Sequence, residues 1–174
     1  LAVNYDVVAN ADDGSCEYYS GPVWYVNNNG TDEVHYGSED YPFVTIQYAA
    51  DASSNGDSIN VAPGEYVENL VLDKDITLIG SGADTTFLYH DEEESCDRVI
   101  TIQSDAHLEG FSIIKSYDCN GIITVDSGSP QITRNIIRFQ SSNEGSQIIR
   151  FDGSGSPQFI NNDIIFNFTG SYFS

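Results

Sequence analysis

An internal repeat constrains the fold of this chain more than any other feature of its sequence. The segment GSPQITRNII at 128–137 aligns with GSPQFINNDI at 155–164, a spacing of 27 residues. A weaker copy, AHLEGFSI at 106–113, matches 130–137 at a spacing of 24. A period of this length, with β-branched residues separated by Gly, Ser and Asn, is typical of one coil of a β-solenoid, in which each coil needs neighbours to bury its inward side chains.

Short apolar strands recur with nearly the same spacing. They are VITI at 99–102, IITV at 122–125 and IIRF at 148–151. Strands placed in this way stack as rungs about 4.8 Å apart. The sequence therefore predicts an all-β solenoid of about five parallel rungs.

Two of the three cysteines occupy the same point on consecutive coils. Cys96 lies three residues before Val99, and Cys119 lies three residues before Ile122. Stacked rungs bring such positions within the Cα separation of about 5–6 Å that a disulfide requires, and the closed loop would stabilise the fold by about 3 kcal/mol in the chain-entropy model. We expect a Cys96–Cys119 disulfide, with two buried free thiols as the alternative. A disulfide predicts an oxidising compartment, and so an extracellular or cell-surface location.

Residues 1–20 differ from the rest of the chain in composition. The run NYDVVANADDGSCEY at 4–18 is rich in Asn, Asp and Gly and has neither helical nor strand periodicity. It resembles a short repeat of secreted, multi-module surface proteins, in which Asn-Tyr-Asp is followed by Asp-Asp-Gly-Ser-Cys. The resemblance implies that residues 1–20 are a remnant of such a module or a linker arm, and that residues 21–174 form the β-helix domain. It also implies that the usual partner of Cys16 would lie before residue 1.

A second resemblance covers residues 23–82. A first strand at 24–26, a loop and turn at 37–43, an amphipathic helix at 45–53 and a strand at 58–62 follow one another there. The apolar face of the helix has the spacing i, i+3, i+4, i+7, at Ile46, Ala49, Ala50 and Ser53. Gly56 is expected at the C′ position of the helix, and Pro63-Gly64 is expected to form a turn.

This succession resembles the entry of the right-handed parallel β-helix of the pectin-lyase-like family. In that family the helix covers the N-terminal end of the coil, whose open strand edge would otherwise recruit other strands. The resemblance therefore implies a right-handed parallel β-helix with a short N-terminal capping helix.

The charge balance is strongly acidic. Six Lys and Arg residues against 27 Asp and Glu residues give a formal net charge of −21. Such a surface repels phosphate backbones and anionic lipids, which argues against nucleic acid and membrane partners. No apolar run approaches the roughly 20 residues that span a bilayer.

Two acidic segments are candidate calcium sites. The loop before Cys96 contains Asp91, Glu92, Glu93 and Glu94, and the N-terminal segment contains Asp6, Asn10, Asp12 and Asp13. Closely spaced carboxylate and amide oxygens suit a hard divalent cation, so calcium is the one candidate cofactor. A solvated acidic surface is the alternative for both segments.

The repeat also stacks polar residues. Asp126 and Asp152 fall at equivalent loop positions, and Asn135 and Asn162 fall at equivalent turn positions. Stacked asparagines are expected to form a side-chain amide ladder that satisfies the backbone of the turns.

The sequence does not indicate a catalytic site. A lyase of this fold would need carboxylates that hold calcium beside an Arg or Lys that takes a proton, and a hydrolase would need carboxylates facing each other across a groove. The repeat does not fix whether Arg134 and Arg138 share a face with the stacked Asp126 and Asp152. Asn29 and Asn167 each begin an Asn-X-Thr glycosylation pattern.

The C-terminal segment reads as strand material to the end of the chain. The run FINNDIIFNFTGSYFS at 159–174 contains no charged or helical segment that would cover the coil. We predict an assembly end formed by Phe166, Phe168, Tyr172 and Phe173. Such an end would continue into a longer β-helix, pair with another subunit, or accept a strand from the N-terminal segment of a neighbour.

These observations favour an extracellular, non-enzymatic structural or adhesive module that assembles end to end into a filament. Its expected partners are itself or other surface proteins. The alternatives are a glycan-binding module, for which a polysaccharide is the partner, and a polysaccharide lyase or hydrolase of the pectin-lyase-like fold.

Overall fold

A computed structural model describes residues 17–89, 98–115, 121–141 and 148–168, with the side chains at 140, 141, 167 and 168 outside the description. In chain order the elements are β1 (Val23–Val26), α1 (Ile46–Ala52), β2 (Ser58–Val61), β3 (Gly64–Val67), β4 (Leu70–Leu72), β5 (Thr77–Gly80), β6 (Thr86–Tyr89), β7 (Ile100–Ile102), β8 (His107–Glu109), β9 (Ser112–Lys115), β10 (Ile123–Val125), β11 (Gln131–Thr133), β12 (Ile136–Ser141), β13 (Ile149–Phe151), β14 (Gln158–Ile160) and β15 (Asp163–Phe168).

The strands form three parallel sheets. The six-stranded sheet has the order β1-β2-β5-β8-β11-β14, the four-stranded sheet the order β13-β10-β7-β4, and the five-stranded sheet the order β15-β12-β9-β6-β3. β1 and β2 both belong to the six-stranded sheet; from β2 onward, successive strands along the chain go to different sheets, and each full coil adds one parallel strand to each sheet. The predicted parallel β-helix with a short N-terminal helix is confirmed, whereas the number of about five rungs stays a prediction.

The register of the strands reproduces the sequence repeat. Gln131 pairs with Gln158 on the following coil and with His107 on the preceding coil. Ile123 pairs with Ile100 and with Ile149, as the recurring apolar triplets predict. The core runs along the coil axis because alternate residues of each strand point inward.

The predicted asparagine ladder is also present. The Oδ1 of Asn135 accepts a hydrogen bond from the Phe111 amide at 2.9 Å, and the Oδ1 of Asn162 accepts one from the Asn135 amide at 3.0 Å. The Nδ2 of the buried Asn135 donates to the Leu108 carbonyl at 3.0 Å. Each asparagine therefore satisfies main-chain groups of the coil before it, as buried polar groups require.

Two details of the expected N-terminal entry are wrong. The helix ends at Ala52, and Ser53 caps it by donating its Oγ–H to the Ala49 carbonyl at 2.7 Å, so Gly56 lies beyond the C′ position. Gly64 does not complete a turn but begins β3, because its amide donates to the Thr85 carbonyl on the next coil at 2.9 Å.

The helix α1 has seven residues. Within the described parts of the chain, no helix has the length and apolar character needed to cross a bilayer.

Candidate functional site

The N-terminal end of the coil is covered by the chain itself. The aromatic rings of Trp24 and Phe43 stack with centroids 5.7 Å apart and are buried. The Trp24 Nε1–H donates to the Asp57 carboxylate at 2.8 Å. Gly37 lies against both rings, where an added Cβ would stand 2.4 Å from Phe43, and its φ of +101° suits glycine. These residues form an aromatic plug over the first coil.

Each sheet edge at this end has a partner. The Tyr25 amide donates to the Gly37 carbonyl at 2.9 Å, which satisfies the edge of β1. The side-chain amide of Gln47, on α1, accepts from the Val71 amide at 2.8 Å and so satisfies the edge of β4. The Asn28 Nδ2–H donates to the Glu65 carbonyl of β3 at 3.3 Å. The N-terminal end therefore presents little open backbone for a further strand.

Two carboxylates hold the covering helix in place. Asp32 accepts hydrogen bonds from the Val44 and Thr45 amides at 2.9 and 3.1 Å. Glu68, from the coil below, accepts from the Ile46 and Gln47 amides at 2.9 Å each. Burial raises the pKa of the Glu68 carboxyl, the two amide hydrogen bonds oppose this, and the charge of Asp32 adds to it. Sequence patterns did not reveal either role, because the acceptors lie up to 22 residues from their donors.

The C-terminal end of the coil is open by comparison. β13, β14 and β15 are the terminal strands of their sheets. Phe151 and Phe166 pair with the buried Val125 and Phe139, so they occupy inward, core positions. Nevertheless Phe151 is 54% exposed, Phe166 is 52% exposed, and Ile164, which pairs with the buried Ile137, is 46% exposed. Core side chains are left uncovered because no further rung follows among the described residues.

A pocket lies beside these residues. It has a volume of about 260 Å³ and is lined by Val125, Phe151 and Pro157 together with the turn residues Ser127 and Gly153. Its apolar wall is the inward face of the four-stranded sheet. A dry cavity of about 150 Å³ already binds benzene in another protein, so this pocket has room for one apolar side chain.

The predicted assembly end stays a prediction. Phe166 is exposed at this end. The side chain of Phe168 and all of Tyr172 and Phe173 lie outside the described residues. Sequence reasoning missed Phe151 and Ile164, although the repeat places them over Val125 and Ile137 and could have identified them.

The outer face of the four-stranded sheet carries a cluster of charged groups. Asp152 accepts from the Arg150 Nε–H at 2.6 Å, and its other oxygen lies 3.9 Å from Arg98. The neighbouring Asp126 accepts from the side-chain amide of Gln103 at 3.3 Å. Asp126 and Asp152 do stack, as predicted, but the arginines beside them are Arg98 and Arg150. In this cluster Asp152 is paired with both arginines, of which Arg150 lies on the same coil and Arg98 on the coil two before it.

The other two arginines that the sequence singled out lie elsewhere. Arg134 forms an ion pair with Glu109 on the six-stranded sheet, where His107 lies 3.8 Å from the same carboxylate. Arg138 donates to the Ser112 hydroxyl at 3.1 Å on the five-stranded sheet. The structure therefore separates Arg134 and Arg138 from Asp126 and Asp152, which lie on the four-stranded sheet.

A groove of about 350 Å³ runs along the outer face of the six-stranded sheet near its N-terminal end. The residues that line it include Tyr25, Asn27, Asn60 and Glu39. An aromatic face beside amide and carboxylate groups can bind a polar ligand that also has an apolar face.

Several predicted residues lie outside the described parts of the chain. They are Cys96, Cys119, Asp6, Asn10, Asp12, Asp13, Asp91, Glu92, Glu93 and Glu94. In the parts that the structure describes, no three His, Cys, Asp or Glu side chains converge on a metal position. Asn29 is exposed in a turn, where glycosylation is sterically permitted, and Asn167 lies in β15 with its side chain undescribed.

Comparison with known proteins gave no family model, no curated protein and no solved structure that matches this chain. The pectin-lyase-like resemblance and the surface-repeat resemblance therefore stay predictions.

Proposed function

We propose that this chain is a non-enzymatic structural module of an extracellular or cell-surface protein, and that the C-terminal end of its coil docks a second copy of the chain. The observation that carries the proposal is the exposure of Phe151, Ile164 and Phe166 at core positions. Exposed apolar clusters next to open strand edges are characteristic of protein–protein contact sites.

Charge supports a second copy as the occupant. Residues 148–168 contain one Arg and two Asp, a net charge of −1, whereas residues 17–89 contain one Lys and 12 acidic residues, a net charge of −11. Two copies of so acidic a protein repel each other over most orientations. The C-terminal end is the part where two copies can approach with little repulsion and bury apolar surface.

The ion pairs of the arginines support a non-enzymatic module. Arg98 and Arg150 both pair with Asp152, and Arg134 pairs with Glu109. An arginine that acts as a proton acceptor or binds substrate carboxylates has to be available to the substrate.

The extracellular location rests on the predicted disulfide. The strands that follow the two cysteines pair Ile100 with Ile123. Cys96 precedes Ile100 by the same number of positions as Cys119 precedes Ile123, and this equal spacing supports the predicted disulfide. Peptide mapping of the native chain without reduction is expected to recover the Cys96–Cys119 cross-link, and two alkylated thiols would contradict the location.

Hydrogen exchange at several protein concentrations tests the docking end. Because docking covers open strand edges, amides of β13, β14 and β15 should become protected as the concentration rises. The amides of β1 provide the internal control, since that edge already has its partner. If protection of β13–β15 does not change with concentration, the proposed function is wrong.

The groove beside Tyr25 favours one second candidate function, the binding of a neutral glycan. Its ring and amides match the apolar faces and hydroxyl groups of a sugar, whereas Glu39 disfavours an acidic one. Calorimetry with neutral oligosaccharides would detect binding, and Tyr25→Ala should weaken it at least tenfold. A heat signal that survives this substitution would place the site elsewhere.

A further inference from the structure

We propose that two copies dock through the same C-terminal end, related by a two-fold axis, so that assembly stops at a dimer and no filament forms. This inference rests on the proposed function and concerns the arrangement of its two copies. It differs from the filament that the sequence predicts.

A filament requires head-to-tail contacts, in which the C-terminal end of one copy meets the N-terminal end of the next. The edges of β1, β4 and β3 at the N-terminal end are already occupied by the Gly37 carbonyl, the Gln47 side chain and the Asn28 side chain. Adding a rung there would break all three contacts.

The covering helix blocks the N-terminal end a second time. α1 packs against β1, β2 and β4 through the buried side chains on its own inner face, Ile46, Ala49 and Ala50. Its N-terminus is bonded to Asp32 and Glu68. To expose the first coil, a partner would have to displace this helix and uncover the aromatic plug of Trp24 and Phe43, and the loss of that buried apolar surface would oppose the exchange.

The C-terminal end, in contrast, is self-complementary. It carries a half-exposed apolar side chain, Phe166, and also a pocket of about 260 Å³ lined by Phe151. In an isologous interface both copies contribute the same surface, so the Phe166 side chain of each copy can enter the pocket of the other. A two-fold contact covers both C-terminal ends and leaves two closed N-terminal ends facing outward, so the described part of the chain offers no open coil end to a third copy.

The ladder of asparagines ends in agreement with this arrangement. Within the described residues, the Phe111 and Asn135 amides each have an asparagine acceptor from the following coil, but the Asn162 amide has no acceptor. The last rung of the ladder among the described residues therefore lies on the coil that carries the exposed apolar side chains. A partner end docked there covers both.

Sedimentation equilibrium of the full chain, from low micromolar to near-millimolar concentration, tests the inference. The expected result is a reversible monomer–dimer equilibrium without larger species. Phe166→Asp should raise the dimer dissociation constant about 30-fold or more, which corresponds to the roughly 2 kcal/mol typical of a central interface residue. Circular dichroism establishes that the variant is folded, and Phe151→Ser serves as a second interface variant if it is not.

Two control variants distinguish the arrangements. Val67→Asp adds the same charge at an exposed apolar position of β3 and should leave the dissociation constant within about threefold of the wild type. Ala52→Arg alters an exposed position of the covering helix. It should be equally silent for a two-fold dimer but would disrupt head-to-tail contacts.

The outcomes separate the inference from the proposed function. Filaments or a ladder of larger oligomers, or dissociation caused by Ala52→Arg, would overturn the two-fold arrangement and leave C-terminal docking intact. Monomers at every concentration, or dimers unaffected by both Phe166→Asp and Phe151→Ser, would overturn the proposed function itself.

Discussion

At the N-terminal end of the coil Trp24 and Phe43 are 5% and 2% exposed, whereas at the C-terminal end Phe151 and Phe166 are 54% and 52% exposed. Both ends are cross-sections through the same stack of parallel strands. The difference comes from residues that do not belong to the repeat, namely the loop before α1 and α1 itself. A repeating coil satisfies its inner rungs automatically, but each of its ends needs non-repeating sequence to be covered.

Substitution of an aromatic residue is expected to change the free energy of unfolding far more at the N-terminal end than at the C-terminal end. Trp24→Ala should lower the free energy of unfolding by about 3–5 kcal/mol, because it leaves a cavity in the plug and removes the donor to Asp57. Phe166→Ala should cost less than about 1 kcal/mol, since its ring is half in solvent. Urea unfolding of dilute protein measures both. Equal losses would mean that the two ends are equally well packed.

Along the asparagine ladder, the loss of unfolding free energy on substitution by alanine should decrease from the interior towards the C-terminal end, by less than it does for the aromatic residues. Asn135→Ala removes the acceptor for the Phe111 amide and the donor to Leu108, and should cost about 2–3 kcal/mol because these groups are buried. Asn162→Ala, one coil nearer the open end, should cost about 1 kcal/mol. Thermal unfolding of the two variants checks the order, and a larger loss at Asn162 would contradict it.

The carboxylate at the covering helix should make the N-terminal end sensitive to pH. Glu68→Gln replaces an acceptor of two amide hydrogen bonds and should cost about 1–2 kcal/mol at neutral pH. Because the folded pKa of Glu68 is raised, the native state binds its proton first, and stability from this group is lost as pH rises through that pKa. The advantage of the wild type over Glu68→Gln should therefore grow as pH falls from neutral towards the unfolded value.

The measurement is the difference in unfolding free energy between the two proteins at several pH values. Glu65→Gln, which removes the same charge from an exposed position of β3, serves as a control for the general effect of acid on so negative a chain. A difference that shrinks on acidification would reverse the sign expected for Glu68.

The smallest effect is expected from a conservative pair within one column of the core. Ile137→Val should cost about 1 kcal/mol, because Ile137 is fully buried. Ile164→Val, at the adjacent position one coil on, should cost less than about 0.5 kcal/mol in the monomer. Under conditions where dimers form, the loss of stability caused by Ile164→Val should approach that caused by Ile137→Val. A loss that stays small would argue against burial of Ile164 in the dimer.

The repeat made the coil predictable from sequence. The pairing of Gln131 with Gln158 and the hydrogen bond between Asn135 and Asn162 follow directly from the spacing of the two GSPQ segments. The amphipathic pattern of Ile46, Ala49 and Ala50 likewise predicted the helix and its buried face, whereas its covering position was implied by the family resemblance.

The ends were less predictable because their contacts join residues that share no period. Glu68 holds a helix 22 residues before it, and Gln47 completes the edge of a strand 24 residues after it. Such pairs depend on how the loop folds over the coil. Gly56 was misplaced for a related reason, since the Ser53 hydroxyl ends the helix before the glycine is reached.

The asparagine ladder has a consequence for how a chain of this kind can change in length. Each rung of the ladder uses only the coil before it, so a duplicated coil inserted between β11 and β14 would find its partners already in place. Neither end would need a new residue. Lineages carrying such a module could therefore lengthen it by tandem duplication in single steps, with the aromatic plug at one terminus and the exposed phenylalanines at the other inherited unaltered.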